Sequence, residues 1–584
     1  WIAYRNLRLN NKKRYMASAG LSYQILDWLN VAGRVRIDNT HSEYEGKLYA
    51  SSSNTLTDGS TQGHYTVNNG QYSQTYADVL VNINKRIQDF TIVANIGASY
   101  SGVTSKELGY AGPIRETGIP NLFNVYDLDN AKKRATQVGW REATESVFAS
   151  AEVGWKSMLY LTVTGRNDWA SQLTHSPQAS FFYPSVGLSA VITEMLKLPD
   201  WVDYLKVRGS FSSVGNPYPR FLTYPTYSYD ANKQDWKSQT NYPIGKLYPE
   251  RTDSWEIGLD ATLFKDFKLS GSFYYANTYN QTFDPRLPVS SGYDKLYVQT
   301  GYVRNYGFEA MLSYGHRWGD FSWDSSFTFS ANKNEIVELV KDYVHPETGK
   351  TYNVDKLELK TDEGRGFGKA KFILKEGGTL GDLYTHADLK RDINGNILID
   401  DSGNVTAIDN AGDIKLGSVL PKANLAWNNS FSYKGINAGF LLTARLGGIV
   451  YSATQAYLDL YGVSETSAAA RDAGGVWVNG RSRVNPQSFY EVVASQSGLP
   501  TYYTYSATNL RLQEAHIGYT IPRRWLGNVC DINVSLVGRN LWMIYCKAPF
   551  DPEAVATTNN YYQGIDYFMM PSTRNIGFNI KINF

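Results

Sequence analysis

No stretch of this sequence approaches about eighteen consecutive apolar residues, which excludes membrane-spanning helices. Spanning strands stay open, because only every second residue of such a strand faces lipid and the signal per segment is weak. Cysteine is nearly absent: Cys530 and Cys546 sit at the two ends of one predicted strand, and the extended chain between them is too long for a disulfide. Charge is scarce and balanced, 19% of residues with a net of +2, so nothing points to a nucleic-acid partner. The seven histidines (His41, His64, His175, His316, His345, His386, His516) are scattered, with no metal-ligand or HExxH spacing. No nucleophile elbow or Gly-rich phosphate loop occurs. The expectation is a protein that is not an enzyme and holds no cofactor or metal. Trp1 is no initiator and no leader precedes it, so the numbered chain is expected to begin inside a longer product.

What fills the deficit is polar and aromatic. Gly (50), Tyr (44) and Trp (14) are abundant, and mean hydropathy is -0.38. Tyr and Trp pair an apolar body with a polar tip and suit a membrane–water interface, although an aromatic-rich soluble carbohydrate binder shares that composition. Position decides more than composition. Ala77, Val79, Val81 and Ile83 alternate toward Gln88-Asp89-Phe90, and Ile92, Ala94, Ile96 and Ala98 alternate away. The same grammar surrounds Lys265-Asp266-Phe267 and Lys434-Gly435. These are hairpins. Similar tight turns occur at Asp27-Trp28, Gly154-Trp155-Lys156 and Gly319-Asp320-Phe321, with longer ones near Leu196 to Tyr204 and Pro522 to Asn528.

The opposite strand ends carry long loops, roughly 43–70, 104–135, 215–250, 336–420, 449–506 and 547–570. Loops sorted by side mark an outer-membrane barrel, with short periplasmic turns and long outer loops. The pattern yields roughly sixteen to eighteen antiparallel strands, the interval reflecting strands that loop 336–420 could hide. Glu256, Asp260, Asp78, Asn82, Asn84, Asn437 and Arg445 then face the lumen. The chain ends in "NIGFNIKINF", where Phe578, Ile580, Ile582 and Phe584 form an apolar face with nothing after them to cover it. A barrel leaves no such edge open. A large soluble all-β protein is the rival reading.

The stretches "GRNDWASQL" (165–173), "FFYPSVGLSAVITEML" (181–196), "LKVRGSFSSVGN" (205–216), "YPERTDSWEIGLDATLFKDFKLSGSFYYANTYNQ" (248–281), "NYGFEAML" (305–312), "LVGRNLW" (536–542) and "FDPEA" (550–554) resemble the barrel half of SusC/RagA-type TonB-dependent transporters, in the family's order. The resemblance implies a barrel of about 22 strands, a plug domain in its lumen, a TonB box coupling it to the TonB complex, and a SusD-like surface lipoprotein as lid. It also implies that Phe578, Ile580, Ile582 and Phe584 are the membrane-insertion signal. Residues 1–584 carry neither plug nor TonB box, so they are expected to be a partial barrel domain lacking the plug and the first strands.

Aromatics crowd the long loops, and Tyr218, Tyr224, Trp236, Tyr461, Trp477 and Tyr502 are the candidate substrate contacts, by stacking on sugar rings. The alternative is that they pack loops together or join the interfacial girdle. "DINGNILIDD" (392–401) resembles the start of a calcium loop, but Ile397 stands at the glycine position and Gly403 at the glutamate position, which favours a polar turn. The reading is import of an oligomeric nutrient, a glycan or oligosaccharide, across the bacterial outer membrane. Oligopeptide import by the same machinery and a passive porin or adhesin barrel are the rivals. The barrel predicts that the protein needs detergent and migrates anomalously on a gel unless boiled; solubility without detergent supports the lectin-like rival instead.

Overall fold

The computed structural model describes residues 2–222, 227–230, 235–237, 241–242, 247–283, 292–293, 295–344, 349, 351–359, 366–558 and 563–583. Seventeen strands carry its large sheet, within the expected interval. They are β1 (Asn6–Leu26), β2 (Leu29–Tyr49), β3 (Gly63–Ile87), β4 (Phe90–Pro113), β5 (Arg134–Trp155), β6 (Leu159–Ala170), β7 (Ser180–Val191), β8 (Val202–Asn216) and β9 (Glu250–Leu263). Then follow β10 (Phe267–Phe283), β11 (Val298–Trp318), β12 (Phe321–Glu338), β13 (Ala423–Tyr433), β14 (Ile436–Leu446), β15 (Asn509–Ile521), β16 (Asp531–Cys546) and β17 (Asn575–Asn583). The chain divides into two compact units, the first holding residues 1–187, 213–239 and 243–249, the second the remainder.

In the first unit β1 to β6 form an antiparallel meander in which each strand pairs with the next. Alternation places Val81 against Ile96 and Ile83 against Ala94 on the apolar face. Arg34 stands against Asp78 on the polar one. In the second unit β9 to β17 continue the same pattern. Ile532, Val534 and Leu536 register against Ile582, Ile580 and Phe578, so these three residues of the proposed insertion signal share one face; Phe584 lies outside the described residues.

Turn chemistry fixes these registers. Lys434 and Gly435 both adopt positive φ (46° and 89°), the left-handed pair that a two-residue hairpin loop requires to match strand twist. Gln88 at the β3–β4 turn also has positive φ (52°). Loop length is sorted as expected, but the strands run further than the alternation indicated. β3 has 25 residues and β4 has 24, well past the roughly 9–11 that cross hydrocarbon. Their outer ends are polar on both faces (Asn68, Asn69, Gln71), so a period-two search cannot see them. Among the described residues, loop 339–422 holds only short strands in small sheets, none in the large sheet. Cys530 and Cys546 are free thiols.

Lipid-side and lumen-side positions therefore differ in what they tolerate. Ile96 is 53% exposed on the apolar face, and Ile96→Lys is expected to cost about 2–4 kcal/mol in a bilayer. Asn95→Lys, on the polar face, is expected to leave folding nearly unchanged. Urea titration of both variants refolded into lipid vesicles checks this, and equal effects would mean the faces are assigned wrongly.

Candidate functional site

The polar face is a wall of paired charges. In the first unit, Asp38 accepts from Arg14, and Asp78 accepts from Arg34 Nε at 3.1 Å and Nη2 at 2.9 Å. The "GRNDW" arginine Arg166 donates to Asp168 at 2.7 Å and to Ser146 at 2.8 Å, and Tyr183 of "FFYP" donates to the same Asp168. In the second unit, Arg208 of "VRGSF" donates to Asp260 of "EIGLDATL" at 2.5 Å, and Ser270 donates to Asp260 at 2.7 Å. The motifs that look most distinctive in the sequence thus meet one another across strands. Asp78 and Asp260 face the polar side but are already ion-paired, which makes them structural first.

The second unit also folds its long loops into a domain with its own core. Ala370, Phe372, Leu383, Tyr451, Phe489 and Leu499 are buried together. Three short helices frame it, Ala453–Leu460, Glu465–Asp472 and Pro486–Val493, N-capped by Ser452, Ser464 and Asn485. Tyr451 donates to the Ser497 carbonyl at 2.5 Å, Ser452 to Asp566 at 2.5 Å, and Tyr503 to Asp459 at 2.9 Å. Burial, then Asp459, pushes the Tyr503 hydroxyl far above the usual phenol range. Hydrogen bonds from Lys356 and Lys375, both at 2.7 Å, hold Asp413 well below the usual carboxylate range.

Arg511 joins loop to wall. It is 5% exposed. It donates to Asn540 at 3.0 Å and to Asp551 at 2.7 Å, and it lies 3.2 Å from Glu553. Asn540 sits in the left-handed region (φ 52°), where β15 and β16 shift register. "GRN" and "FDPEA" therefore converge on one guanidinium that the sequence reading did not single out. The signal was a lone arginine between Leu510 and Leu512. Burial raises the Asp551 carboxyl, but Arg511 and the Glu553 amide outweigh it and hold the group below its ordinary range.

On the polar side of the second unit lies a cavity of about 800 Å³, lined among others by Arg208, Glu309, Ser330, Asn424, Arg445 and Glu553. Arg445 donates to the Val419 carbonyl at 2.8 Å, while its Nε is buried with no partner among the described residues. The remaining lining mixes hydroxyls and amides, including Ser270, Thr328, Thr443 and Gln513, with small and apolar residues such as Ala310, Phe329 and Leu425.

The six candidate aromatics are placed differently from one another. Tyr218 is 3% exposed, with a buried hydroxyl that has no partner among the described residues. Tyr224 lies outside the described residues. Trp236 is exposed and meets Tyr229 edge-on at 5.3 Å. Tyr461 is exposed, and Trp477 is exposed with Arg483 over its ring at 4.5 Å. Tyr502 packs against the loop core and meets Phe489 at 6.2 Å. Among the described residues no ring contact joins any two of the six. Asp392 accepts from the amides of Asn394 and Asn396 at 2.8 and 2.9 Å, and Asp400 repeats the arrangement with Ser402 and Asn404. Asp392 and Asp400 of "DINGNILIDD" are thus satisfied by backbone donors, as in a polar turn.

Alternating strands, turns sorted by side and a wall of lumen charges define an outer-membrane β-barrel. Residues 1–541 match the family described as TonB dependent receptor-like, beta-barrel, and the chain belongs to it. The family comprises transporters of the outer membrane rather than enzymes. The chain is 24% identical over 524 residues to TonB-dependent receptor P3 of Formosa agariphila, covering 83% of this chain and 50% of that one. It is 24% identical over 433 residues to TonB-dependent receptor SusC of Bacteroides thetaiotaomicron, covering 68% and 40%. It superposes on a chain of the RagAB peptide transporter with a TM-score of 0.76 at 17% identity, covering 99% of this chain and 62% of that one. The chain spans about half the length of the first two curated relatives it matches.

Two outcomes follow from the Arg511 hub and the depressed carboxylates. Arg511→Ala leaves Asp551 buried without its cation, at a cost of about 3 kcal/mol, and is expected to raise hydrogen exchange in 547–558 while β1 to β6 stay protected. Asp413 and Asp551 have native pKa values below the unfolded value near 3.9; their stabilisation is present above that value and lost as pH falls through the native ones. Exchange in 366–422 and 547–558, corrected for the intrinsic rate, is expected to rise in acid. Constant protection down to pH 2 would remove both groups from the account.

Proposed function

We propose that this chain is the barrel part of a TonB-driven importer of an oligomeric nutrient, a glycan or oligosaccharide. A SusD-like lipoprotein covers the loop side in this reading, and the TonB complex acts through a plug carried outside these residues. The observation that carries it is the cavity of about 800 Å³, where hydroxyl, amide and a few charged groups alternate with small and apolar residues. Such a lining exchanges hydrogen bonds with the hydroxyls of a polyhydroxylated chain and offers its apolar residues to the ring faces. The exposed rings of Trp236, Tyr461 and Trp477 support stacking on sugars; Tyr224 is retained as a contact. Tyr218 and Tyr502 are held by their surroundings and would reach a substrate only after those loops rearrange. The outward face of Phe578, Ile580 and Ile582 supports the insertion-signal role.

Oligopeptide import is the second reading. The RagAB relative is a peptide transporter, and Arg208 and Arg445 beside Glu309 and Glu553 suit a chain with charges of both signs. Uptake of labelled oligosaccharides and oligopeptides by cells expressing the complete protein separates the two. Ser330→Trp, which narrows the cavity, is expected to lower import roughly tenfold or more with barrel abundance unchanged. Uptake that persists when the energy source for TonB is collapsed would establish a passive porin instead.

A further inference from the structure

On the apolar face of the first unit, opposite the lumen wall, lies a groove of about 870 Å³. It is bounded by two rows of residues that cross the strands. One row runs Ala19, Val35, Ala77, Tyr100, Glu145 and Trp169, each registered directly against the next from β1 to β6. The adjacent row runs Leu21, Gly33, Val79, Ala98 and Val147. Strands lie ~4.8 Å apart, so the first row extends over about 24 Å. Small residues form the floor: a Cβ at Gly33 would meet nothing nearer than the Asp78 carbonyl oxygen at 3.8 Å. Leu21, Val35, Val79 and Val147 stand exposed as its sides.

Near its β6 end this apolar strip is interrupted by a carboxylate. Glu145 is exposed between Tyr100 and Trp169, whose rings are 42% and 45% exposed, and no basic side chain among the described residues pairs with it. The stretch from Glu145 to Trp155, where β5 ends, matches the roughly 9–11 residues of a spanning strand. Glu145 therefore stands at the outer border of the hydrocarbon, where a lone carboxylate is costly unless a cation meets it.

We infer that this groove holds a membrane amphiphile with an ammonium headgroup. The ammonium sits on Glu145 between the faces of Tyr100 and Trp169, and an acyl chain lies along the strip over Ala98 and Gly33. The carboxylate supplies charge complementarity and the rings supply cation–π attraction. The small floor gives the chain dispersion contacts that a smooth barrel wall lacks. An anionic lipid is repelled at Glu145, and a second barrel packed here would bury that carboxylate unpaired.

The test is native mass spectrometry of the complete protein, delipidated in mild detergent and titrated with phosphatidylethanolamine or with phosphatidylglycerol of the same chains. Phosphatidylethanolamine is expected to bind about tenfold more tightly, a difference of about 1.4 kcal/mol. Glu145→Gln is expected to abolish that preference, and Gly33→Leu, which fills the floor, to weaken both lipids. Tyr100→Leu provides a second removal of the headgroup site should Glu145→Gln fail to fold, as judged by heat-dependent gel migration. Equal binding of the two lipids by the unaltered protein, an unchanged preference in Glu145→Gln or Tyr100→Leu, or a protein dimer in place of lipid adducts would overturn the inference.

Discussion

Hydrocarbon offers no hydrogen-bond partner to a peptide group, and almost everything else in this chain follows from that constraint. A strand that crosses a membrane must pair on both sides, so strands come as hairpins with directly registered neighbours, as from β1 to β6 and from β9 to β17. Pairing leaves the side chains to answer to two solvents. The outer row is mainly apolar, and the inner one carries charges that often meet, as Arg34 meets Asp78 and Arg208 meets Asp260.

Beyond the membrane the problem changes. A long loop must repay its own ordering entropy, and a sheet wall gives it little apolar surface to bury. The loops of the second unit solve this by burying one another. Tyr451, Phe489 and Leu499 form a core of the kind found in soluble domains, and buried hydroxyl–carboxylate bonds such as Ser452–Asp566 tie distant segments. Arg511 then anchors that domain to the wall through Asp551 and the left-handed Asn540.

The wall was legible in the sequence because alternation and turns are local. Ala77 to Ile83, Gln88-Asp89 and Ile92 to Ala98 announce their hairpin within about twenty residues, and the strand count came out within its interval. The outer extensions of β3 and β4 were not legible, since Asn68, Asn69 and Gln71 are polar on both faces and carry no period. Nor was the loop core: Phe489 or Tyr503 reads equally well as a substrate platform or as packing until the fold buries it. Motifs such as "GRNDW" and "FDPEA" were visible as words, while their partners, Tyr183 and Arg511, lie in other strands.

By itself the sequence determined the class of fold, the side on which the long loops lie and the polar or apolar sense of each face, because these depend on neighbours one or two residues away. Tertiary structure alone decided which charges are neutralised, which aromatics stay exposed and where a groove or cavity opens. Those depend on residues brought together from strands and loops tens to hundreds of positions apart, and no local periodicity encodes that distance.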